Sequence, residues 1–206
     1  MPRTEQSIRL FRSDILEALT HVHPIVPLIV WGPVAVYLLW RSASVNDIPT
    51  GQIVGVGILG LFVWTLVEYC LHRFVFHFRA QSRVGRYLVF LFHGVHHAAP
   101  RDKTRLVMPP AGSIIAMAAL YPVFQFAVPA PWIEPFVAFF IIGYLVYDYT
   151  HYATHHFPMR SPLLHFLKVY HLQHHYGAEG LRYGVSSPVW DRVFGTYPAN
   201  ARARGG

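Results

Sequence analysis

Four long apolar stretches constrain the fold of this 206-residue chain more than any other feature. A helix needs about 20 apolar residues to cross a bilayer, and the second and third stretches reach that length. Only 13% of the residues are charged, against about 25% in soluble domains, which excludes an ordinary soluble protein. We therefore predict an all-α, integral-membrane fold with four transmembrane helices, at about 25–41, 52–70, 111–130 and 131–149.

The chain outside these spans divides into three predicted parts. Residues 1–24 lack the apolar core of a signal peptide, and their apolar side chains recur at helical spacing. This pattern is typical of a helix that lies in the membrane interface, and equally of one that packs on the protein itself. Residues 25–198 are predicted to form the membrane domain, and 199–206 a flexible tail.

The positive charges indicate the orientation of the spans. With four crossings, both termini and the region 71–110 lie on one side of the membrane, and that side holds 16 of the 17 lysines and arginines. Only Arg41 lies opposite. Because loops rich in lysine and arginine stay in the cytoplasm, we expect both termini and the 71–110 region to be cytoplasmic.

Ten of the 14 histidines form four clusters on that same side. The clusters are His72 with His77, then His93, His96 and His97, then His151 with His155, and finally His171, His174 and His175. Residues three or four apart share a helix face, so each HxxHH triplet is expected to aim three imidazoles into one volume. His72 and His77 are five apart, which requires either two adjacent ions or a helix that departs from α-geometry between them.

These clusters predict two metal ions, because ten imidazoles exceed the coordination shell of one. Imidazole suits iron, copper, zinc and nickel, whereas a closed structural zinc site usually includes cysteine, and Cys70 is the only one here. The other four histidines have no cluster of this kind and are predicted to serve the interface or the surroundings of the site. They are His21, His23, His156 and His165.

Two acids stand one turn before predicted ligands, near the ends of apolar spans. They are Glu68, before His72, and Asp148, before His151. A carboxylate at such a depth is costly unless it is paired. We therefore predict that each carboxylate accepts the second N–H of a metal-binding ring and fixes its tautomer.

The order HxxxxH, HxxHH, HxxxH, HxxHH resembles the sterol desaturase and fatty acid hydroxylase superfamily of membrane di-iron enzymes. Further phrases are similar to the fatty acid 2-hydroxylases within it, and the resemblance covers about residues 50–198. These phrases are Pro100-Arg-Asp102, Arg105-Leu-Val-Met-Pro109-Pro110, Tyr147-Asp148-Tyr-Thr-His151 and Tyr183-Gly-Val-Ser-Ser-Pro-Val-Trp190-Asp191.

The resemblance implies a helical cap on the cytoplasmic side in which all ten clustered histidines hold two irons that use O2. Zinc found in their place would be a redox-inert occupant. The implied reaction adds a 2-hydroxyl to the acyl chain of a fatty acid or of a sphingolipid such as ceramide. Many relatives carry a fused cytochrome b5 domain whose His-Pro-Gly-Gly motif is absent here, so we expect a separate donor of the cytochrome b5 or ferredoxin type. Four basic residues are candidates to meet the lipid headgroup, although the membrane topology explains them equally well. They are Arg101, Lys103, Arg105 and Lys168.

Several alternatives stay open at this point. A sterol or carotenoid hydroxylase or desaturase would use the same metals, and outside catalysis the alternatives are a haem protein and a metal transporter. Nucleic-acid binding is excluded because the basic residues flank the spans rather than forming a groove. The match of 55–60 to GxGxxG lies inside an apolar span with no preceding strand, so we interpret these glycines as sites of close helix approach.

Overall fold

A computed structural model describes residues 7–198, and the residues in that range form helices joined by short loops. The α-helices are α1 (Asp14–Leu19), α2 (Val26–Ser44), α3 (Thr50–Cys70), α4 (Arg83–Val89), α5 (Val95–Ala98), α6 (Pro110–Ala127), α7 (Ile133–His156), α8 (Pro162–Tyr176) and α9 (Val189–Val193). Two π-helical segments continue α3 and α4, namely π1 (Leu71–Phe76) and π2 (Phe90–Gly94). The predicted tail, 199–206, and the first six residues lie outside the described range.

Four helices are long and apolar enough to cross a membrane, which confirms the predicted fold class. They are α2, α3 with π1, α6 and α7. α2, α3 and α6 begin and end within three residues of the predicted spans. α7 differs, because it continues past the predicted end at 149 to His156 and so carries the third histidine cluster itself.

The central helix of the bundle is α7, which packs against α2, α3 and α8 and is the most buried of the four. α3 approaches α7 closely because small residues face it. A Cβ added at Gly60 would lie 2.4 Å from the carbonyl oxygen of Phe136, and one at Gly57 would lie 2.5 Å from the ring of Phe139. Gly57 and Gly60 of the GxGxxG match thus allow close helix packing, as predicted from the sequence, whereas Gly55 faces open space.

Aromatic side chains fill the centre of the bundle. The Trp64 ring packs edge-on against Phe140 and Tyr144, with ring centroids 5.1 and 5.5 Å apart. The indole N–H of Trp31 donates to Ser113 Oγ at 2.9 Å and joins α2 to α6. These contacts hold the four spans together. The histidine-bearing segments emerge from one end of this bundle.

The remaining elements form a cap over that end of the spans. Ser82 begins α4 by accepting the Gly85 N–H at 3.0 Å, and Pro162 occupies the first turn of α8, where its missing N–H leaves no bond unmade. The C-terminal segment returns to α3, where the Trp190 indole N–H donates to Thr65 Oγ1 at 2.9 Å. Because the cap is fastened to the spans, distant parts of the sequence meet at one end of the bundle.

Candidate metal centre

The ten clustered histidines converge into two adjacent groups of five. The first group is His72, His77, His93, His97 and His174, and the second is His96, His151, His155, His171 and His175. Within each group, one ring nitrogen of every residue lies within 4.8 Å of the others. The stacked rings of His97 and His175, with centroids 4.0 Å apart, join the two groups.

A π-helix brings His72 and His77 into the same group. The His77 N–H donates to the His72 carbonyl at 3.1 Å, an i→i+5 bond that widens the helix by one residue per turn. Residues five apart then lie on nearly the same face, which an ideal α-helix does not allow. The helix therefore departs from α-geometry between these residues, one of the two solutions that their spacing left open.

Each HxxHH triplet is divided between the groups, contrary to our expectation that its three rings share one volume. His93 and His97 join the first group while His96 faces the second, and His171 and His175 join the second group while His174 faces the first. The reason is geometric: residues four apart superimpose better on a helix than residues three apart, so the middle ring diverges.

The spacing of the ring nitrogens suits metal coordination. In the first group, Nε2 of His93 lies 3.1 Å from that of His72 and 2.9 Å from that of His97. In the second group, Nε2 of His96 lies 3.0 Å from those of His151 and His175. Metal–nitrogen bonds of about 2.1 Å at right angles place neighbouring nitrogens about 3.0 Å apart, so both groups fit one ion each.

The tautomers of two rings support the same conclusion. Nδ1 of His72 donates to the Tyr183 carbonyl, and Nδ1 of His174 donates to the Leu181 carbonyl at 2.9 Å. With the proton on Nδ1, each Nε2 directs a lone pair into the first group, where other ring nitrogens already converge. A cation bound among them would satisfy these lone pairs together.

The rings of the cap are held in the neutral form that binds metals. Burial, followed by the neighbouring rings, lowers the pKa of His77 to about 4, of His97 to about 2 and of His175 to about 3. Neutral imidazole is the form with a free lone pair, so protons compete little with a metal near neutral pH.

Glu68 and Asp148 are buried as predicted, but their hydrogen-bond partners differ from the prediction. Glu68 accepts the N–H groups of Val185 and Ser186 at 2.7 and 2.9 Å, and also the Ser186 hydroxyl. Asp148 accepts the Met108 N–H at 3.3 Å and the Tyr144 hydroxyl at 3.4 Å. The physical reason at Glu68 is that a backbone carbonyl already takes the Nδ1 proton of His72, so the carboxylate instead fastens the segment that supplies this carbonyl.

The sequence reasoning missed this supporting segment, residues 181–186. Its carbonyls orient two histidines, and a buried carboxylate, Asp191, accepts the N–H groups of Tyr183 and Gly184 at 2.8 Å each. A Cβ at Gly184 would lie 2.0 Å from the Ser187 carbonyl oxygen, so the tight turn requires glycine. In the sequence, the stretch from Tyr183 to Asp191 is indicated only by the family resemblance, because a hydrogen bond to a backbone carbonyl does not depend on residue type.

Two of the four headgroup candidates are engaged within the protein. The Arg105 guanidinium is buried and pairs with Glu17, and the Lys168 ammonium donates to the carbonyls of Thr154 and Phe157 at 2.8 and 2.7 Å. Arg101 and Lys103 are exposed. The four histidines outside the clusters stay outside both groups.

Two openings reach the histidine groups from different sides. A mostly apolar cavity of about 300 Å³ is lined by His93, His96 and His151, and by apolar side chains of α1, α6 and their neighbouring loops. A more polar cavity of about 480 Å³ is lined by His77, His97, His174 and His175. The centre is therefore accessible both to an apolar molecule and to a polar environment.

An all-α bundle with four membrane-length helices and ten converging histidines defines an integral-membrane protein with a candidate di-metal centre. The family model for fatty acid hydroxylases matches residues 57–196. The solved structure of full-length Scs7p, in which only the hydroxylase domain is visible, superposes with a TM-score of 0.83 at 38% identity, over 90% of this chain and 70% of that one.

Curated relatives give the same result. The chain is 39% identical to a dihydroceramide fatty acyl 2-hydroxylase of Arabidopsis thaliana, over 98% of this chain and 84% of the relative. It is 40% identical to the ceramide very long chain fatty acid hydroxylase of Saccharomyces cerevisiae and 35% identical to the fatty acid 2-hydroxylase of Homo sapiens. These alignments cover 89% and 92% of this chain but about half of each relative, 48% and 56%. The chain belongs to the fatty acid hydroxylase family and is a hydroxylating oxidoreductase.

Proposed function

We propose that this protein adds a hydroxyl group to the second carbon of the acyl chain of a fatty acid or sphingolipid. The single observation that carries the proposal is the apolar cavity that ends at His93, His96 and His151, at the end of the membrane spans. An acyl chain fits such a cavity, and its carbonyl end lies near headgroup depth, where the histidine groups also lie. Relatives with the same activity in their names support the assignment.

The proposed metals are two irons, one held by each group of five histidines. Bound iron supplies the O2 chemistry that no amino-acid side chain performs, and zinc in a purified sample would mark the geometry without the activity. Replacing C–H by C–OH consumes one O2, two electrons and two protons, and releases one water.

The chain's own residues position the substrate and exclude water. Leu106, Val107 and Met108 form one wall of the apolar cavity, and the Met108 N–H is fixed by the carboxylate of Asp148. The wall therefore cannot drift away from the histidines, and the reacting carbon is confined beside them. Exclusion of bulk water from this side also protects the reaction from wasteful reduction of O2.

For the two electrons we propose a separate donor of the cytochrome b5 or ferredoxin type, with the polar opening as its side of entry. His77, His97 and His175 line it and are among the less buried of the ten histidines. The segment 71–101 that contributes to this side holds five arginines and no acidic residue, which favours an acidic donor and a cytoplasmic location.

The proposal is tested by expression in a host that lacks 2-hydroxylated lipids, followed by mass spectrometry of the acyl chains and by metal analysis of the purified protein. Wild type should yield 2-hydroxy acyl chains, and His174→Ala should not. His165→Ala is the matched control, because His165 lies on the same helix but is exposed and outside both groups. Product from His174→Ala at the wild-type level would refute the metal-site assignment.

The same experiment separates the proposed substrate from the other substrates of the superfamily. A hydroxylated or desaturated sterol or carotenoid, in place of a 2-hydroxy acyl chain, would refute the substrate while leaving the metal centre intact. Iron-loaded wild type that is supplied with a donor and forms no product from any lipid would refute the proposed reaction.

A further inference from the structure

The N-terminal segment forms one wall of the apolar cavity. Leu10, Phe11, Leu16 and Leu19 line the cavity together with the loop 106–109 and with His93, His96 and His151. Leu16 and Leu19 lie at its rim, with 48% and 68% of their surface exposed, whereas Ile15 does not line it and is 76% exposed. One face of this short amphipathic segment therefore looks into the cavity and another looks outward, which combines the two placements that its sequence pattern allowed.

A partly buried ion pair fastens this wall to the protein. The Arg105 guanidinium, 3% exposed in its side chain, pairs with the Glu17 carboxylate, which is 13% exposed. The other oxygen of Glu17 accepts the N–H groups of Leu10 and Phe11 at 2.9 and 2.8 Å. One carboxylate thus connects Arg105 with the backbone of two residues that line the cavity.

Further contacts show that the docking of the segment is specific. Arg105 also donates to His21 Nε2 at 2.9 Å, and its Nε lies 3.6 Å from the Asp102 carboxylate. The Val22 N–H donates to the Thr104 carbonyl at 2.7 Å. A segment that merely lay in the membrane interface would need none of these bonds to residues 102–105, which lead into the cavity-lining loop 106–109.

We infer that residues 10–20 are the substrate-contacting wall of the acyl cavity, and that the Arg105–Glu17 pair sets which carbon of the chain reaches the metal centre. The inference rests on the proposed function and assigns specificity to residues outside the histidine clusters. Arg105 acts as a positioning residue through Glu17. Leu16 and Phe11 touch the acyl chain.

Photolabelling tests the wall directly and does not depend on turnover. The full chain in membranes is exposed to a ceramide that carries a diazirine on its acyl chain, and the adducts are mapped by mass spectrometry. Adducts within residues 10–20 are expected for wild type. The adduct yield should fall about ten-fold in Leu16→Trp, because the large indole ring fills much of the cavity. Ile15→Trp is the matched control and should label as wild type does. Adducts confined to other segments, or equal labelling of the two tryptophan variants, would overturn the inference.

Product analysis tests the ion pair. Glu17→Gln keeps the side-chain size but removes the charge, and it should shift part of the product to other carbons while the metal content stays at the wild-type level. Asp14→Asn is the control, because Asp14 forms the exposed ion pair of the same segment with Arg9 and is 91% exposed. Identical product positions in Glu17→Gln and Asp14→Asn would refute the role of the pair. Adducts in 10–20 from a wild type that hydroxylates a different carbon would refute the proposed function and leave the wall standing.

Discussion

Replacing Gly60 with alanine tests whether the close approach of α3 to α7 sets the geometry of the metal centre. The added Cβ would lie 2.4 Å from the Phe136 carbonyl oxygen, and real Cβ atoms essentially never come within 3.0 Å of such a neighbour. The two helices must therefore separate by about 0.6 Å at this point. Metal–ligand distances in a well-formed site lie within about 0.2 Å of their ideal values, and α3 leads directly to His72 while α7 carries His151.

The expected energetic effect follows from overpacking. Forcing a methyl group into a filled contact costs about 1–3 kcal/mol, and each kcal/mol lowers the Tm by about 2–4 °C in a chain of this size. Alanine also favours a helix by about 1 kcal/mol over glycine, so a control on the same helix is needed. Gly55→Ala provides it, because a Cβ there meets nothing within 4 Å.

The assay is thermal unfolding in detergent together with metal analysis of the purified protein. We expect Gly60→Ala to unfold at a lower temperature than Gly55→Ala and to retain less metal, while Gly55→Ala matches or exceeds wild type. If the two variants have the same Tm and the same metal content, the packing of α3 on α7 does not determine the geometry of the centre.

Three further predictions concern groups around the site. Glu68→Ala should lower metal content, because it leaves three buried or partly buried donors of residues 185 and 186 unpaired, whereas Glu68→Gln should retain most of it, since the amide oxygen still accepts both N–H groups. Equal metal loss in both variants would instead show that the charge itself is required. Lys168→Met should destabilise the protein by about 1–2 kcal/mol in thermal unfolding without altering the product, because the ammonium caps carbonyls at the end of α7. Lys103→Met, at an exposed lysine, should change neither the stability nor the product. The metal-free protein should lose stability as the pH falls from 6.5 toward 4. Burial lowers the pKa of His77 to about 4 in the folded protein, so the unfolded chain binds more protons than the folded one over that interval. Denaturant midpoints that stay constant between pH 6.5 and 4 would contradict this.

The fold class and the histidine clusters could be predicted because they depend on residue identity and spacing. Apolar length determines membrane crossing, and ten clustered histidines, eight of them at helical intervals, have few explanations other than metal binding. The same reasoning placed the end of the last span too early, since His151 and His155 looked like residues beyond a span. The structure shows that they continue the same helix.

The parts that escaped prediction depend on backbone conformation and on partners far away in sequence. The π-helical turn at His72–His77 was only one of two solutions that the spacing allowed. The partner of Glu68 lies more than one hundred residues away, and its N–H groups are common to every residue type. Arg105 illustrates the same limit, because its charge suggested a lipid headgroup whereas its position in the fold gives it Glu17.

The distribution of ligands between the two groups follows one reciprocal rule. Each group takes two histidines from the end of a span, an i, i+4 pair from one HxxHH segment and the middle histidine of the other. The first group thus contains His72 and His77 with His174, and the second contains His151 and His155 with His96. Because each HxxHH segment contributes to both groups, these two segments would set the distance between two bound ions, whereas each pair of histidines at the end of a span would hold one ion only. Replacing both histidines at the end of one span, for example His72 and His77, should therefore empty one site. A one-residue insertion within either HxxHH segment should disturb both sites. The metal stoichiometry of the purified variants will distinguish the two outcomes.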